Sequence, residues 1–559
     1  MPLEKPWLRH YPQEIDPTYQ YPRHNVAQFL IDAARDYPDR PALEFMGKQL
    51  RYERLLEESC RFANALARLG VGRGERVAIM LPNCPQTVIA YYGTLMAGCI
   101  AVLTNPLYKE REVELQLADS GAAAIVTLDA LYPRVRAVMA RTQLRHVIVT
   151  SIKDYLPFPK NMLYPIKAKR SGHAVEVEYG EQVHAFASLL KSVPPWFNCV
   201  EVDPEQDLAL LQYTGGTTST PKGVMLTHGN LVANTIQSGA WFYKVKRGEE
   251  IFLGALPFFH VFGMTVLMNL CTLCRGMNVL VPKFEPAEVL RIIHRLRPTV
   301  FPGAPTMYIG LINHPDLYKY DLSSIRTCIS GASSLPLDVQ ERFEELTGCV
   351  LIEGYGLTEA SPITHANLLW GKRKHGSIGI PFPDTEARIV DAESGEEVAE
   401  GEVGELVVRG PQVMKGYWNR PEETMKALRD GWLFTGDLGR QDEDGFFSIV
   451  DRKKDLIIAG GFNIYPREVE EVLFEHPNVQ EAVVVGMPDA YRGETVKAYI
   501  VPRAGSTPTA EELNVWCRER LASFKVPRQY EFRSELPKTI AGKVLRRKLL
   551  EEEELLLKR

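Results

Sequence analysis

The sequence has no excess of positive charge. Its 559 residues include 65 Lys and Arg against 70 Asp and Glu, which gives a formal net charge of −5. Nucleic-acid-binding proteins usually carry a basic surface, so we expect neither DNA nor RNA as a ligand. The 45% apolar and 24% charged content is average for soluble globular proteins and argues against disordered, collagen-like and multi-span membrane classes. The length allows several domains.

Cysteine is also sparse. The nine cysteines are odd in number and scattered along the chain, so they do not form a disulfide framework. Cys271 and Cys274 have no second ligand pair at zinc spacing and are expected in the core. The first residues, MPLEKPWLRHYPQEIDP, mix charges with prolines and do not form the apolar segment of a secretory signal. These features predict a cytoplasmic protein.

No apolar run is long enough to predict a membrane span. Residues 77–108 carry no charge, but prolines and asparagines bracket the apolar part, which is shorter than the ~20 residues that a span needs. A buried helix over about 85–97, followed by a buried strand over 100–103, explains this run better.

Helical and strand-like patterns alternate up to about residue 380. Helices are predicted over 49–70 and 110–120, and strands over 76–81 and 124–128. Such alternation is typical of stacked βα units with mostly parallel sheets. Residues 154–204 are rich in proline and weakly periodic, which predicts a long excursion on the surface.

The second half of the chain changes character twice. Short β runs separated by acidic and glycine turns predict a small antiparallel or barrel-like unit over about 385–450. The charged junction DRKKD at 451–455 then precedes a compact α+β ending. The predicted fold class is α/β, with a large N-terminal domain at 1–451, which includes the β-rich unit, and a small mobile C-terminal domain at 452–559.

One loop is suited to binding phosphate. An apolar strand over 208–213 runs into Thr214-Gly-Gly-Thr-Thr-Ser-Thr-Pro-Lys222-Gly223. Glycines let backbone N–H groups approach an anion, hydroxyls add donors, and Lys222 adds a cation. The loop is not a Walker A motif, because Lys222 precedes Gly223 and Val224 instead of Ser or Thr. Taken alone, the loop also fits an ordinary flexible surface segment.

With this loop the sequence resembles the adenylate-forming superfamily of acyl-CoA synthetases, luciferases and adenylation domains, and most closely its bacterial long-chain fatty-acid–CoA ligases. Ser219 stands where the family usually has glycine. The further motifs that carry the resemblance follow in the family's order: Tyr355-Gly-Leu-Thr-Glu359, Gly410-Pro-Gln-Val-Met-Lys-Gly-Tyr-Trp418, Thr435-Gly-Asp437, Asp451-Arg-Lys-Lys-Asp455, Ala459-Gly-Gly-Phe-Asn463 and Pro537-Lys-Thr-Ile-Ala-Gly-Lys543.

The resemblance implies an ATP site and three catalytic residues, Lys543, Glu359 and Lys222. Glu359 is implied as the Mg²⁺ ligand, with Thr217 or a neighbouring hydroxyl completing the shell. Asp437 and Arg452 are implied to reach the ribose, and Tyr355 to pack on the adenine. The full set implied to bind ATP or AMP is Thr214, Gly215, Gly216, Thr217, Thr218, Ser219, Thr220, Pro221, Lys222, Gly223, Gly331, Ala332, Gly354, Tyr355, Gly356, Thr358, Asp437 and Arg452.

The resemblance also implies an acyl pocket, a CoA channel and a hinge. His260 lies among aromatic residues, so a buried core histidine is an equal alternative to a pocket residue. Lys453 and Lys454 correspond to the hinge about which the C-terminal domain turns between two half-reactions. The implied acyl-binding residues are His260, Met264, Gly331 and Gly356, and the implied CoA-binding residues are Gly460, Gly461 and Phe462.

These features predict a ligase that uses ATP, Mg²⁺ and CoA to convert a long-chain fatty acid to acyl-AMP and then to acyl-CoA. Two alternatives stay open: an acyl-AMP ligase that loads a carrier protein, and a non-catalytic protein for fatty-acid binding or uptake. A homodimer is also left open. Residues 155–170 interleave apolar side chains with Lys160, Lys167, Lys169 and Arg170, which predicts peripheral contact with anionic lipid at the inner face of the membrane.

Overall fold

A computed structural model describes residues 5–170, 175–214, 221–391, 393–459, 462–489, 492–539 and 544–557. The strands of the first half are β1 (Pro41–Phe45), β2 (Lys48–Arg51), β3 (Arg76–Met80), β4 (Ile100–Leu103), β5 (Ala124–Leu128), β6 (His146–Thr150), β7 (Val183–Ala185), β8 (Leu208–Thr214), β9 (Lys222–Thr227), β10 (Ile251–Gly254) and β11 (Met277–Leu280). Those of the second half are β12 (Val300–Gly303), β13 (Thr327–Ser330), β14 (Val350–Gly356), β15 (Ile363–Ala366), β16 (Ile380–Pro381), β17 (Glu386–Val390), β18 (Gly404–Arg409), β19 (Gly416–Tyr417), β20 (Leu428–Arg429), β21 (Trp432–Gln441), β22 (Phe447–Arg452), β23 (Ile457–Ala459), β24 (Phe462–Ile464), β25 (Val479–Asp489), β26 (Gly493–Pro502) and β27 (Gln529–Phe532).

Helices connect these strands. In chain order they are α1 (Gln28–Asp36), α2 (Tyr52–Arg68), α3 (Pro85–Met96), α4 (Glu110–Ser120), α5 (Tyr132–Met139), α6 (Lys160–Arg170), α7 (Phe186–Lys191), α8 (His228–Trp241), α9 (Val261–Gly263), α10 (Cys271–Leu273), α11 (Pro286–Leu296), α12 (Pro305–Ile312), α13 (Leu337–Thr347), α14 (Pro421–Ala427), α15 (Pro466–Phe474), α16 (Ala510–Arg520) and α17 (Arg546–Leu557).

The first sheet of the N-terminal domain has the strand order β19-β9-β8-β4-β3-β5-β6-β7. The strands from β8 to β7 in this order run parallel, and β9 returns antiparallel beside β8. Strands β3, β4 and β5 are continuous apolar runs, as expected where both faces of a parallel sheet are buried. The carboxyl ends of the parallel strands, including β8 at Thr214, therefore meet at one edge.

The second sheet has the order β16-β15-β14-β13-β12-β10-β11-β1-β2 and is parallel from β14 to β1. Helix α3 contributes to the main core and has every residue buried, which confirms the helix expected from the uncharged run. Pro85 opens this helix, where a missing N–H has no cost. Within the described residues, no helix has both the length and the apolar content needed to cross a bilayer.

The β-rich unit is antiparallel, as expected. Strands β17, β18, β21 and β20 lie side by side, and β22 pairs with β21. A further sheet of the order β24-β23-β26-β25, with β27 beside β26, forms the smaller C-terminal domain. Its core packs Val469 and Leu473 of α15 against the strands, and α17 covers the opposite face through Leu549. The α/β architecture is confirmed, whereas the division between residues 451 and 452 stays a prediction.

Two local predictions need correction. The helix expected over 49–70 begins at Tyr52, because residues 48–51 pair with β1 instead. The segment 154–204, expected as an excursion on the surface, contains α6, β7 and α7, and α7 buries Phe186, Leu189 and Leu190. Phe186 of α7 stacks on Phe62 of α2 with ring centroids 5.7 Å apart. Burial of such side chains stabilises helices that sequence periodicity does not reveal.

Candidate active site

The two ends of the glycine- and hydroxyl-rich loop are held together. Strand β8 ends at Thr214, and Lys222 begins β9 directly opposite it in an antiparallel pair. Gly223 lies against the ring of Tyr213, where an added Cβ would approach at 3.1 Å. Residues 215–220, which include Gly215, Gly216, Thr217, Thr218, Ser219 and Thr220, lie outside the described residues. The structure therefore gives the positions of Thr214, Pro221, Lys222 and Gly223 from this motif.

Tyr417 joins the predicted cation to the predicted metal ligand. Its hydroxyl donates a 2.8 Å hydrogen bond to Oε1 of Glu359, and the Lys222 ammonium lies 4.9 Å from the centre of its ring. Strand β19 places Tyr417 beside Val224 of β9, next to the loop. Burial, followed by the nearby Glu359 carboxylate, raises the pKa of Tyr417 well above its usual value. The phenol therefore stays a donor to Glu359.

Glu359 lies in a short 3-10 turn, Thr358–Ala360, just beyond β14. Its carbonyl accepts a 2.8 Å hydrogen bond from the Met414 N–H, which ties this turn to the segment before β19. Among the described residues, no three His, Cys, Asp or Glu side chains are grouped as a metal site. A single carboxylate beside a phosphate loop still suits Mg²⁺, because that ion usually takes its remaining ligands from phosphates and water.

The residues predicted to bind the ribose and the adenine contact one another, and one of them lies a few residues before Glu359 in the sequence. The Tyr355 hydroxyl donates a 2.6 Å hydrogen bond to Oδ2 of Asp437, and Nε of Arg452 lies 3.2 Å from Oδ1. Asp437 and Arg452 are direct partners across β21 and β22. Burial is the largest cause, and the Asp437 charge the next, of a strongly raised Tyr355 pKa. Three residues implied by separate motifs thus form one polar cluster.

At two of the glycines predicted to line the site, neighbouring atoms lie so close to the backbone that a side chain would collide with them. A Cβ on Gly356 would lie 2.1 Å from the Pro362 carbonyl, and one on Gly331 would lie 2.9 Å from the Phe262 ring. Ala332 adopts a positive φ of 72°. Gly354, Gly356 and Thr358 continue the chain from β14 toward Glu359, whereas Gly331 follows β13. Gly331 therefore lies between the nucleotide motifs and the aromatic segment that includes His260.

The structure buries the predicted acyl-pocket segment. Nδ1 of His260 accepts a 3.4 Å hydrogen bond from the Phe262 N–H and caps α9, so this histidine has a structural role. Met264 opens a π-helical segment, Met264–Leu270, and is fully buried. The Tyr91 hydroxyl of α3 donates to its sulfur at 3.2 Å. Sequence analysis overlooked Tyr91, because the motif around Met264 gives no information about a residue 173 positions earlier in the chain.

The predicted hinge contacts the nucleotide motifs. Lys453 and Lys454 form a 3-10 turn with Asp455. Nζ of Lys453 lies 3.1 Å from Oε2 of Glu405, and Oε1 of Glu405 accepts a 3.0 Å hydrogen bond from the Gly436 N–H. Burial lowers the pKa of Lys454. Glu405, another residue that sequence analysis missed, therefore connects the turn to the Thr435-Gly436-Asp437 motif.

Asp451 is held by hydrogen bonds at the predicted domain boundary. Its carboxylate accepts hydrogen bonds from the N–H groups of Arg452 and Arg467 at 2.7 and 2.8 Å. Nη1 of Arg467 also donates to the Ile449 carbonyl at 2.7 Å. Burial raises the pKa of Asp451 to about 6. The charged junction is thus bonded on both sides.

The remaining C-terminal predictions are only partly described. Phe462 is half exposed and stacks on Phe524, with ring centroids 4.6 Å apart. Gly460, Gly461 and Lys543 lie outside the described residues. Lys538 and Val544, which lie on either side of this segment in the sequence, pair across a β bridge.

Comparison with known proteins agrees with this architecture. The family model described as AMP-binding enzyme matches residues 30–418, and the model for the AMP-binding enzyme C-terminal domain matches residues 468–543. The chain therefore belongs to the AMP-binding enzyme family.

Particular relatives extend over nearly the whole chain. It is 54% identical over 554 residues to a long-chain-fatty-acid–CoA ligase of Bacillus subtilis (strain 168), covering 99% of each. A long-chain-fatty-acid–CoA ligase of Salmonella typhimurium (strain LT2) is 40% identical over 559 residues, with 98% of each covered. ATP-bound MatB from Rhodopseudomonas palustris is similar in structure, with a TM-score of 0.83 at 30% identity, covering 94% of this chain and 99% of that one.

Proposed function

We propose that this protein is an ATP-dependent long-chain fatty-acid–CoA ligase. The observation that carries the proposal is that two residues with different predicted roles, one on the ribose and one on the phosphates, lie close together in the sequence. Tyr355 of the ribose cluster and Glu359 of the phosphate side stand four residues apart, and each is held by a partner from another motif. The 54% identity to a named long-chain-fatty-acid–CoA ligase supports the substrate class.

The first half-reaction joins two anions. A carboxylate oxygen of the fatty acid attacks the α-phosphorus of ATP, the bond to the bridging β-phosphate oxygen breaks, and acyl-AMP and pyrophosphate form. Lys222 and the backbone of the loop offset phosphate charge, and Asp437, with Arg452 and Tyr355, fixes the adenosine so that the α-phosphate faces the carboxylate. Magnesium, when bound through Glu359 and Thr217, would supply further positive charge to the phosphates. We assign Lys543 the role of stabilising the negative charge that develops between the carboxylate and the α-phosphate.

The second half-reaction transfers the acyl group to sulfur. The CoA thiolate attacks the acyl carbonyl, the bond between that carbon and the phosphate oxygen breaks, and AMP leaves with the electron pair. We assign the pantetheine channel to Gly460, Gly461 and Phe462, and the rotation that presents it to Lys453 and Lys454. In this assignment residues 1–451 stay fixed while 452–559 turn.

The acyl chain is assigned to the pocket beside Gly331 and Gly356. Met264 and the half-buried His260 are assigned to its wall, because each lies two residues from Phe262, against which Gly331 packs. The tight approach of Gly331 to Phe262 leaves no room for a side chain at that position. We further assign the protein to the cytoplasm, with peripheral contact at the membrane; a homodimer is left to measurement.

Product analysis tests the proposal. The purified full chain is incubated with ATP, Mg²⁺ and saturated fatty acids of increasing length, and pyrophosphate, acyl-AMP and acyl-CoA are measured. We expect pyrophosphate release that depends on fatty acid, and a kcat/KM that is highest for long chains. A protein that binds fatty acid without releasing pyrophosphate would be a binding or uptake protein instead.

A second arm identifies the acceptor. Isolated acyl-AMP complex is mixed with CoA or with a phosphopantetheinylated carrier protein. Consumption by CoA is expected, whereas consumption by the carrier alone would identify an acyl-AMP ligase and contradict the proposal. Glu359→Gln serves as a control in the first arm, where it should lower pyrophosphate release, because a neutral amide of the same shape is a poorer ligand for a hard divalent cation.

A further inference from the structure

Helix α6 turns an apolar face toward solvent. Met162, Leu163 and Ile166 are 67%, 57% and 54% exposed, and Phe158, just before the helix, is 77% exposed. Spacings of three and four residues place the three helical side chains on one side of α6. Single exposed apolar residues are ordinary, but a contiguous group of large ones on one element is a feature of interaction sites.

The opposite side of the same helix packs against the rest of the protein. Tyr164 is half-buried against the main core, and Asn161 is half-buried beside it. Leu156, which precedes the helix, is buried. Within the part of the chain that the structure describes, the inner face of α6 therefore packs on the protein through Tyr164, and the outer face is the one that lacks a cover.

Cations border the exposed face, and the helix itself carries no acidic residue. Lys160, Lys169 and Arg170 are exposed, and residues 156–170 contain no Asp or Glu. Lys160 Nζ donates a 2.7 Å hydrogen bond to the Met46 carbonyl, which brings the partly exposed Met46 next to the helix. An apolar face with a basic border is complementary to the headgroups and acyl boundary of an anionic bilayer.

Topology also gives this face a position relative to the active site. Strand β6 ends at Thr150, shortly before α6, and β8 ends at Thr214, where the phosphate loop begins. Both strands run parallel in one sheet, in the order β8-β4-β3-β5-β6, so both ends lie on the same edge. Four intervals between neighbouring strands, of about 4.8 Å each, put the ends of β6 and β8 roughly 19 Å apart.

From these observations we propose that the outer face of α6, with Phe158, is a reversible docking site for anionic lipid bilayers. Docking there would bring the edge that carries the phosphate loop near the bilayer, where long-chain fatty acids dissolve. The proposal deepens the proposed function but is tested separately from it, because activity on a short, water-soluble acid needs no vesicle.

Vesicle flotation with the full chain tests the docking site. Two sets of vesicles are used, pure phosphatidylcholine and phosphatidylcholine mixed with phosphatidylglycerol. The apolar-face variant carries Met162→Gln, Leu163→Gln and Ile166→Gln, and the charge variant carries Lys160→Gln, Lys169→Gln and Arg170→Gln. The matched control carries Leu115→Gln, Met425→Gln and Val515→Gln, which replace exposed apolar residues on other helices.

We expect the parent and the control to bind the anionic vesicles, and to bind phosphatidylcholine at least about tenfold more weakly. Each α6 variant should lose about tenfold or more of the affinity for anionic vesicles. High salt should weaken binding of the parent more than binding of the charge variant, since only the parent has those charges to screen. All variants should keep the parent's melting temperature and its activity on a soluble short-chain acid.

Three outcomes would overturn the proposal. One is absence of binding of the parent to anionic vesicles, and another is binding that neither α6 variant weakens. The third is a parent that sediments as a dimer without binding vesicles while the apolar-face variant is a monomer, which would assign this face to a second copy of the chain. Absence of pyrophosphate release by the parent with fatty acids of every length would instead contradict the proposed function.

Discussion

Tyr417 holds Glu359 through a 2.8 Å hydrogen bond from its hydroxyl to Oε1, although 58 residues separate the two in sequence. The same ring lies 4.9 Å from the Lys222 ammonium. One aromatic side chain thus fixes the relative position of the predicted metal ligand and the predicted phosphate-binding cation. A carboxylate that is held before the ion arrives loses less freedom on binding it.

Tyr417→Phe should therefore raise the Mg²⁺ concentration needed for half-maximal pyrophosphate release by about tenfold, the value of one hydrogen bond to a charged group. The ring beside Lys222 is kept. Tyr243→Phe is a suitable control, because it removes a hydroxyl that donates to the Trp370 carbonyl elsewhere in the fold. An unchanged Mg²⁺ dependence in Tyr417→Phe would show that Glu359 does not need this support.

Asp437→Asn should reduce the recognition of the ribose. If Asp437 accepts hydrogen bonds from the sugar hydroxyls, the parent should use 2′-deoxyATP with a KM about tenfold or more above that for ATP. The variant should have a raised KM for ATP and a ratio between the two nucleotides close to one. Steady-state kinetics with both nucleotides gives this ratio, and a variant that still discriminates against the deoxynucleotide would contradict the assignment.

Lys543→Ala should impair only the first half-reaction. The charge between carboxylate and α-phosphate loses its cation, so most acyl-AMP synthesis should disappear. With acyl-AMP supplied, acyl-CoA should form within about tenfold of the parent rate, or about 1.4 kcal/mol in barrier. Lys548→Ala, an exposed lysine on α17, should leave both steps unchanged. Equal losses in the two steps of Lys543→Ala would contradict the rotating C-terminal domain.

Glu353→Gln should stabilise the protein at alkaline pH. Burial raises the pKa of Glu353 from 4.5 to about 7, so the folded state binds a proton between these values that the unfolded state has lost. Stability is therefore lost as pH rises from about 4.5 to about 7, by about 3 kcal/mol in the limit of complete ionisation. At pH 5 the neutral amide and the neutral acid should give similar melting temperatures. At pH 8 the variant should melt a few degrees higher, and a gain that is equal at both pH values would show another cause.

The sequence by itself determined the local chemistry of this protein. The alternation of helical and strand-like patterns predicted the parallel sheets, and the helix over Pro85–Met96 followed from a run too short to span a bilayer. The sequence predicts a phosphate-binding loop because the glycines, hydroxyls and lysine of that segment are close together in the chain. The resemblance to the family then predicted one site for Tyr355, Asp437 and Arg452, because each residue belongs to a motif that the family uses to bind the nucleotide.

Only the tertiary structure decided which distant residues touch. Tyr417 reaches Glu359 because β19 pairs with β9, and Tyr91 reaches Met264 because α3 and the π-helical segment share the main core. The order of strands in a sheet depends on long-range packing that no local pattern encodes. Helix α6 is a similar case: the prolines of this region predicted an excursion on the surface, and the identity of the helix's exposed face depends on Tyr164 facing the core. Local periodicity specifies that a side chain is apolar, but the rest of the fold decides whether that side chain is covered.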